Sequence, residues 1–351
     1  MKRLEHTEYT HYIKRKWMAV FFLCAVMFGA SLLSLSVGAA PLPLPEILRV
    51  LTGGGEDMSR TILLHVRLPR VMTAVSIGIA LAMAGCVMQN VLRNPLASAS
   101  TLGISQGASF GAALAIVYFE TGIVSGGAVT AANPYTVTLF AFLGGIITTI
   151  LILLLSYRSG AVPSTMILAG VAIGAMFTGA TALVQYFADD LRIGSIVYWT
   201  FGNLGRPGFQ EIRILSILNT AGFLYFMLNR WNYNAMESGS HTAKSLGVNV
   251  NLLTLISIVV CTLISATAIA FVGTISFIGL IAPHIVRKFV SNDYRFLIPC
   301  SALMGGTILL LADIASRTIR VPAVLPIGAL TSFLGAPLFL YLIIKKGNMA
   351  K

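Results

Sequence analysis

The sequence predicts an all-α fold: a polytopic membrane bundle of about ten transmembrane helices per subunit, in one domain. Three observations carry this. Hydrophobic residues make up 56% of the 351 and charged residues only 10%, against roughly 25% charged in soluble domains, so polar side chains are too few to cover a water-facing globule. The mean hydropathy is +0.85. Apolar runs of about 20 residues recur from end to end, each long enough to cross about 30 Å of hydrocarbon as a helix that satisfies its own backbone.

The first run, 17–38, follows MKRLEHTEYTHYIKRK and precedes VGAAP, which loosely resembles a signal-peptide cleavage site. It is longer than the 7–15 residues of a signal-peptide core, so it reads as an uncleaved first span. Further spans are expected at 68–92, 102–119, 134–157, 163–187, 211–229, 251–272, 278–290, 294–316 and 326–344. The seventh ends near Gly273, and the eighth, too short to cross alone, reads as a return helix, with Gly279 and Pro283 breaking the helix into a short piece. The stretch from Ile193 to Gly202 is a candidate partial helix. Residues 1–16 and 346–351 are expected as cytoplasmic tails and 17–345 as a single transmembrane domain, with one polar loop at about 230–250. Gly103, Gly107 and Gly111 form two GxxxG steps and Gly170–Gly174 a third, a spacing that lets helix backbones approach closely in lipid.

The formal charge of +12 would suggest nucleic acid in a soluble protein; on this chain it reads as a topology signal that also favours anionic headgroups. With the N-terminus in the cytoplasm, all eight lysines fall on the cytoplasmic side, while nine of the sixteen arginines fall outside. Both termini are therefore assigned to the cytoplasm of a multi-pass protein. Cys24, Cys86, Cys261 and Cys300 stand singly in apolar runs and indicate neither zinc nor a disulfide framework. There is no GxxxxGK[ST], HExxH or GxSxG, and the five histidines are isolated. Asp189 and Asp190 stand together but at an expected outer end. Asp313, near the end of the ninth span, is the one clear acidic candidate for a proton-coupled carrier. No catalytic, metal or cofactor residues are expected; the chain reads as a conduit whose energy comes from elsewhere.

Five stretches occur in order: RLPR (67–70), NPLA (94–97), GTISFIGLIAPHIVR (273–287), LLLAD (309–313) and LPIGALTSFLGAPLFLYLI (325–343). Together they resemble the FecCD family, permeases of ABC importers for iron-siderophores, haem and cobalamin, over roughly residues 60–345. The resemblance implies a cobalamin-importer-permease-like fold working as a dimer of permease subunits in the cell membrane. It also implies two cytoplasmic ABC ATPase subunits and an extracytoplasmic binding protein, and alternating access as the mechanism. A ferric siderophore leads among cargoes; cobalamin, haem and molybdate stay open, and an ion-coupled secondary transporter is the rival class.

The resemblance also assigns residues. Arg67, Arg70 and Arg317 match docking arginines for an acidic binding protein; snorkelling to headgroups is the other reading. Ser238, Gly239, Ala243, Leu246 and Gly247 match the coupling loop set in a cleft of the ATPase, with Ser238-Gly239-Ser240 replacing the usual LGE. Asn94, Pro95, Leu96, Pro163 and Ser164 match a cytoplasmic gate, although Asn and Pro also end helices for local reasons. Met166, Met176, Thr178, Thr181 and Gln185 would line the pathway near the dimer axis; the same stripe fits helix packing. His284 reads as a packing residue.

Overall fold

In the computed structural model, residues 2–38, 40, 42–119, 122–125, 128–131, 134–158 and 162–348 are described. All ten expected spans are helices: α1 (Lys2–Ser36), α4 (Leu68–Val91), α5 (Ile104–Tyr118), α6 (Pro134–Arg158), α7 (Pro163–Tyr186), α9 (Phe209–Leu228), α12 (Val250–Val272), α13 (Ile278–Val290), α14 (Tyr294–Thr318) and α15 (Ile327–Asn348). Among the described residues seven helical stretches are long and apolar enough to cross a bilayer, and Ile104–Tyr118 and Ile327–Pro337 are shorter apolar helices. Between them lie α2 (Leu44–Leu51), α3 (Asp57–Thr61), α8 (Asp190–Thr200), α10 (Arg230–Glu237) and α11 (Ser240–Ser245). One antiparallel hairpin, β1 (Gly122–Ser125) with β2 (Ala128–Ala131), interrupts the helices. The expected C-terminal tail lies partly outside the described residues. The expected N-terminal tail does not stand apart: residues 2–16 continue α1.

Small residues decide how the helices pack. The middle of α4 reads IGIALAMAGCVM, and from Ile77 to Val91 nearly every residue is buried. At Gly78 a Cβ would sit 2.4 Å from the Gly305 carbonyl oxygen of α14, and at Gly85 it would sit 2.1 Å from that of Gly279 on α13. The two predicted GxxxG steps on α5 serve different neighbours: Gly103 meets Gly170 and Gly174 of α7, while Gly107 and Gly111 meet Gly144 and Phe140 of α6. Dispersion between close backbones replaces the hydrophobic drive that lipid does not supply. Sparse polar contacts pin the bundle further, such as Thr149 to Thr262 at 2.8 Å and Asn219 Nδ2 donating to Ser76 O at 2.9 Å.

The seventh span ends at Gly273 as expected, but Pro283 does not break the helix that follows. The chain leaves α12 at Gly273, whose φ is +86, and re-enters helix after Phe277, at φ +68. Only glycine fits at 273, because a Cβ there would lie 2.3 Å from Trp199 O. Pro283 lies inside α13. Its missing N–H leaves the Gly279 carbonyl, four residues back, without a helical partner. Gln89 Nε2 of α4 supplies one at 3.1 Å, and Arg287 Nη1 donates to the Gln89 side-chain Oε1 at 2.5 Å. The proline is absorbed by a neighbouring helix, so α13 runs on unbroken.

Candidate functional site

Helix α1 carries a charged cluster at each end of its span. At its C-terminal end the last carbonyls have no acceptor role left within the helix. Arg67 Nη1 donates to Leu35 O at 2.6 Å and Ser36 O at 2.9 Å, and Arg67 Nη2 donates to Ala40 O. Arg317 Nη2 donates to Ser34 O at 3.2 Å and Ser34 Oγ at 2.7 Å, and Arg317 Nη1 to Val37 O at 3.1 Å. Cations at a helix C-terminus also meet the negative end of the macrodipole. A π-helical stretch, Ile62–Arg67, leads into α4 just ahead of Pro69, and Arg67 at its end is buried. The Arg67→Lys variant keeps the charge but cannot reach three carbonyls with a fork. Thermal unfolding in detergent is expected to show a loss of about 2 kcal/mol, since hydrogen bonds to charged groups contribute about 1.5–3 kcal/mol each.

Asp313 completes this cluster. It is fully buried on α14, with Arg70 Nε donating to Oδ1 at 2.8 Å. Arg317 Nε approaches Oδ2 at 2.9 Å without hydrogen-bond alignment. Arg70 and Arg317 thus share one carboxylate, and with Arg67 beside Arg317 the cluster holds an excess of two positive charges. The three candidate docking arginines come together, but tied to α1 and Asp313. The Arg70 and Arg317 side chains keep only 14% and 11% of their surface open.

At the opposite end stands Lys16, its side chain 2% exposed. Its ammonium donates to Asp293 Oδ2 at 3.2 Å and lies 4.0 Å from the Tyr12 ring centroid, a setting in which the buried charge keeps both an anion and a π face. Asp293 caps α14 and also takes Arg295 Nη2 at 2.7 Å and Asn234 Nδ2 at 3.2 Å. Burial pushes the Asp293 carboxyl up, but the bonds from Arg295, Asn234 and Lys16 outweigh it and hold it well below the usual carboxylate range.

The candidate coupling loop folds as two short helices at this end, α10 and α11. Ser238 ends α10, Gly239 opens α11 at φ +119, Ala243 is buried, and Gly247 closes the turn at φ +85. Leu246 is 68% exposed. Helix α10 is fastened to its neighbours: Asn90 Nδ2 donates to Tyr233 O at 3.2 Å, Arg93 Nη2 to Met236 O at 3.2 Å, and the Tyr233 and Ser257 hydroxyls meet at 2.8 Å.

Of the candidate gate residues, Asn94 Oδ1 accepts from Leu96 N at 2.8 Å, forming a local turn after α4. Pro95 and Leu96 are exposed; Pro163 opens α7, half-buried, with Ser164 exposed. The pathway stripe divides. Met166 is buried, and Gly170 and Gly174 face Leu102 and Gly103, whereas Met176 and Thr178 are exposed and Thr181 and Gln185 half-buried. Phe110 stacks on Phe177 at 5.3 Å and fixes which face of α7 is turned inward. His284 lies 6.4 Å from Phe339 of α15, ring centroid to centroid. Asp189 caps α8 by accepting from Arg192 N at 2.9 Å. Sequence reasoning missed Lys16, Asn234 and Asp293; an aspartate directly before an apolar run is a helix-cap signal that marks the last of these.

Residues 25–345 match the FecCD transport family. A protein of Methanocaldococcus jannaschii named as an ABC transporter permease is 49% identical over 96% of this chain and 97% of its own length. The Fe(3+)-citrate import system permease YfmE of Bacillus subtilis is 33% identical over 94% of this chain and 96% of its own. A solved inward-facing metal-chelate type ABC transporter superposes with a TM-score of 0.81 at 30% identity, covering 93% of this chain and 98% of that one. Matched over nearly all its length by family, relatives and fold alike, the chain belongs to the FecCD transport family.

Proposed function

We propose that this chain is the permease subunit of a binding-protein-dependent ABC importer that carries a ferric chelate into the cytoplasm by alternating access. The α10–α11 pair carries the reading: two short helices project an exposed Leu246 while α10 is bonded to α4, α12 and the turn before α14. Such an element receives force from outside the bundle and distributes it within. Its end of the bundle is cytoplasmic in this reading, along with both termini, and meets the ATPase subunits. The Asp313 end faces outward, where its excess positive charge attracts acidic lobes of a binding protein. The exposed face of α7, with Val171, Met176 and Leu183, turns toward a second copy of the permease and the path between them. Gate residues Asn94 to Leu96 and Pro163–Ser164 narrow its cytoplasmic exit. The Fe(3+)-citrate relative and the metal-chelate transporter support iron as cargo.

The test is uptake in a strain lacking the gene, with labelled ferric siderophore and labelled cobalamin compared before and after the gene is restored. Ferric uptake returns in this reading. Restored cobalamin uptake alone replaces the cargo, and uptake without any ATPase partner removes the importer reading. The Arg70→Met variant, which leaves Asp313 its Arg317 partner, is expected to lower binding-protein affinity about tenfold at low salt.

A further inference from the structure

Asp293 stands where three separate parts of the chain converge. Lys16 reaches it from α1, Arg295 from α14, and Asn234 from α10. Asn234 is held twice, because its Oδ1 accepts from Tyr294 N at 2.8 Å while its Nδ2 donates to the Asp293 carboxylate. One residue earlier on α10, the Tyr233 hydroxyl meets Ser257 of α12 while its ring packs on Tyr294 of α14, centroids 5.9 Å apart. Adjacent residues of one short helix therefore tie α12 to α14 and to the turn before it. Aromatic rings reinforce the Asp293 side: the Arg295 guanidinium lies 4.8 Å from the Trp231 ring of α10, and Trp17 of α1 meets Phe296 of α14 edge-on at 5.7 Å. Asn292 Nδ2 donates to Glu237 Oε1 at 2.5 Å and closes the same junction from the end of α10.

We propose that Asp293 is a positioning residue of the transport cycle, a relay that carries displacement of α10 into α14 and α1 through Asn234 and Lys16. This rests on the importer reading above. The contacts through Tyr233 move α4 and α12; those through Asn234, beside the Tyr233–Tyr294 ring contact, make α14 and α1 follow. Two properties suit the relay to this work. Lys16 is buried and Asp293 and Arg295 are partly buried against aromatic faces, so screening by salt is reduced. Its carboxylate takes donors from three elements, so no one element shifts without breaking a charge-assisted bond. Hydrogen-bond and ion-pair networks carry coupling between moving parts, and every link from Asn234 to Lys16 is a bond given above.

The test uses the full-length permease assembled with its ATPase subunits and binding protein in liposomes, measuring ATP hydrolysis and uptake of a labelled ferric siderophore together. Asn234→Ala keeps the Lys16–Asp293–Arg295 trio and so protects folding; Asp293→Asn and Lys16→Met weaken the trio itself. For Asn234→Ala and Asp293→Asn, ATPase subunits stay bound and hydrolysis stays within about twofold of wild type, while uptake per ATP falls about tenfold. Lys16→Arg restores most of what Lys16→Met loses. An unchanged uptake-to-hydrolysis ratio in Asn234→Ala overturns the relay, and so does a fall of both rates by the same factor or a loss of folded Asn234→Ala protein. A wild-type chain that recruits no ATPase overturns the importer reading and the relay with it.

Discussion

Asp313→Ala is expected to remove most folded permease from the membrane fraction. The side chain is fully buried and its carboxylate is the shared anion for Arg70 and Arg317, with Arg67 beside them. Without it, these guanidiniums face one another in a site that water reaches poorly. Removing one partner of a buried ion pair costs about 3–5 kcal/mol, against a total stability of about 5–15 kcal/mol for a typical domain. Asp313→Asn keeps an acceptor for Arg70 and should lose less. A second substitution separates charge from shape: Asp313→Ala with Arg70→Met removes one of the stranded cations and should recover part of the loss. Detergent-solubilised protein followed by size-exclusion and thermal unfolding gives the answer. A monodisperse Asp313→Ala variant melting within about 2 °C of wild type would sink the idea.

Gly85→Val comes second in expected effect. Even an alanine Cβ would stand 2.1 Å from Gly279 O, and the nearest atoms are all backbone of α13. No side chain can rotate away, so α4 and α13 must separate. Overpacking of one methylene costs about 1–3 kcal/mol, and here the separation also pulls Gln89 from the carbonyl that Pro283 leaves open. A loss of about 3 kcal/mol or more is expected for valine, and a smaller one for alanine. Gly29→Ala is the control, since a Cβ on that α1 residue meets nothing within 4 Å; it should leave the melting temperature unchanged or raise it slightly. Equal effects at both glycines would mean that helix approach is not what Gly85 provides.

How far the sequence leads depends on whether the deciding partner is near in the chain. Apolar runs report on lipid directly, so the ten helices stand where the runs are, and α13 is short because GTISF turns the chain between Val272 and Ile278. The two short helices at 230–245 were legible as a polar interruption with glycines at its turns. Pro283 misled because the group that satisfies its freed carbonyl, Gln89, lies 190 residues away. The arginines are a subtler case. An arginine at a helix end looks the same in sequence whether it awaits a partner or caps another helix, and Arg67, just ahead of α4, and Arg317 of α14 cap α1. Lys16 read as one more topology-setting lysine, since nothing beside it in the chain announces Asp293, 277 residues on.

The two clusters on α1 have a consequence for the surrounding lipid. Lys16 at one end is fastened to Asp293 before α14, and Ser34 and Ser36 at the other to Arg317 of α14 and Arg67 ahead of α4. At 1.5 Å per residue they lie about 30 Å apart along the helix, the thickness of the hydrocarbon layer. A helix held at one end accommodates a thicker or thinner bilayer by tilting. One riveted at both ends has lost that freedom, so lipid at this edge of the protein must stretch or thin to meet a ruler of set length.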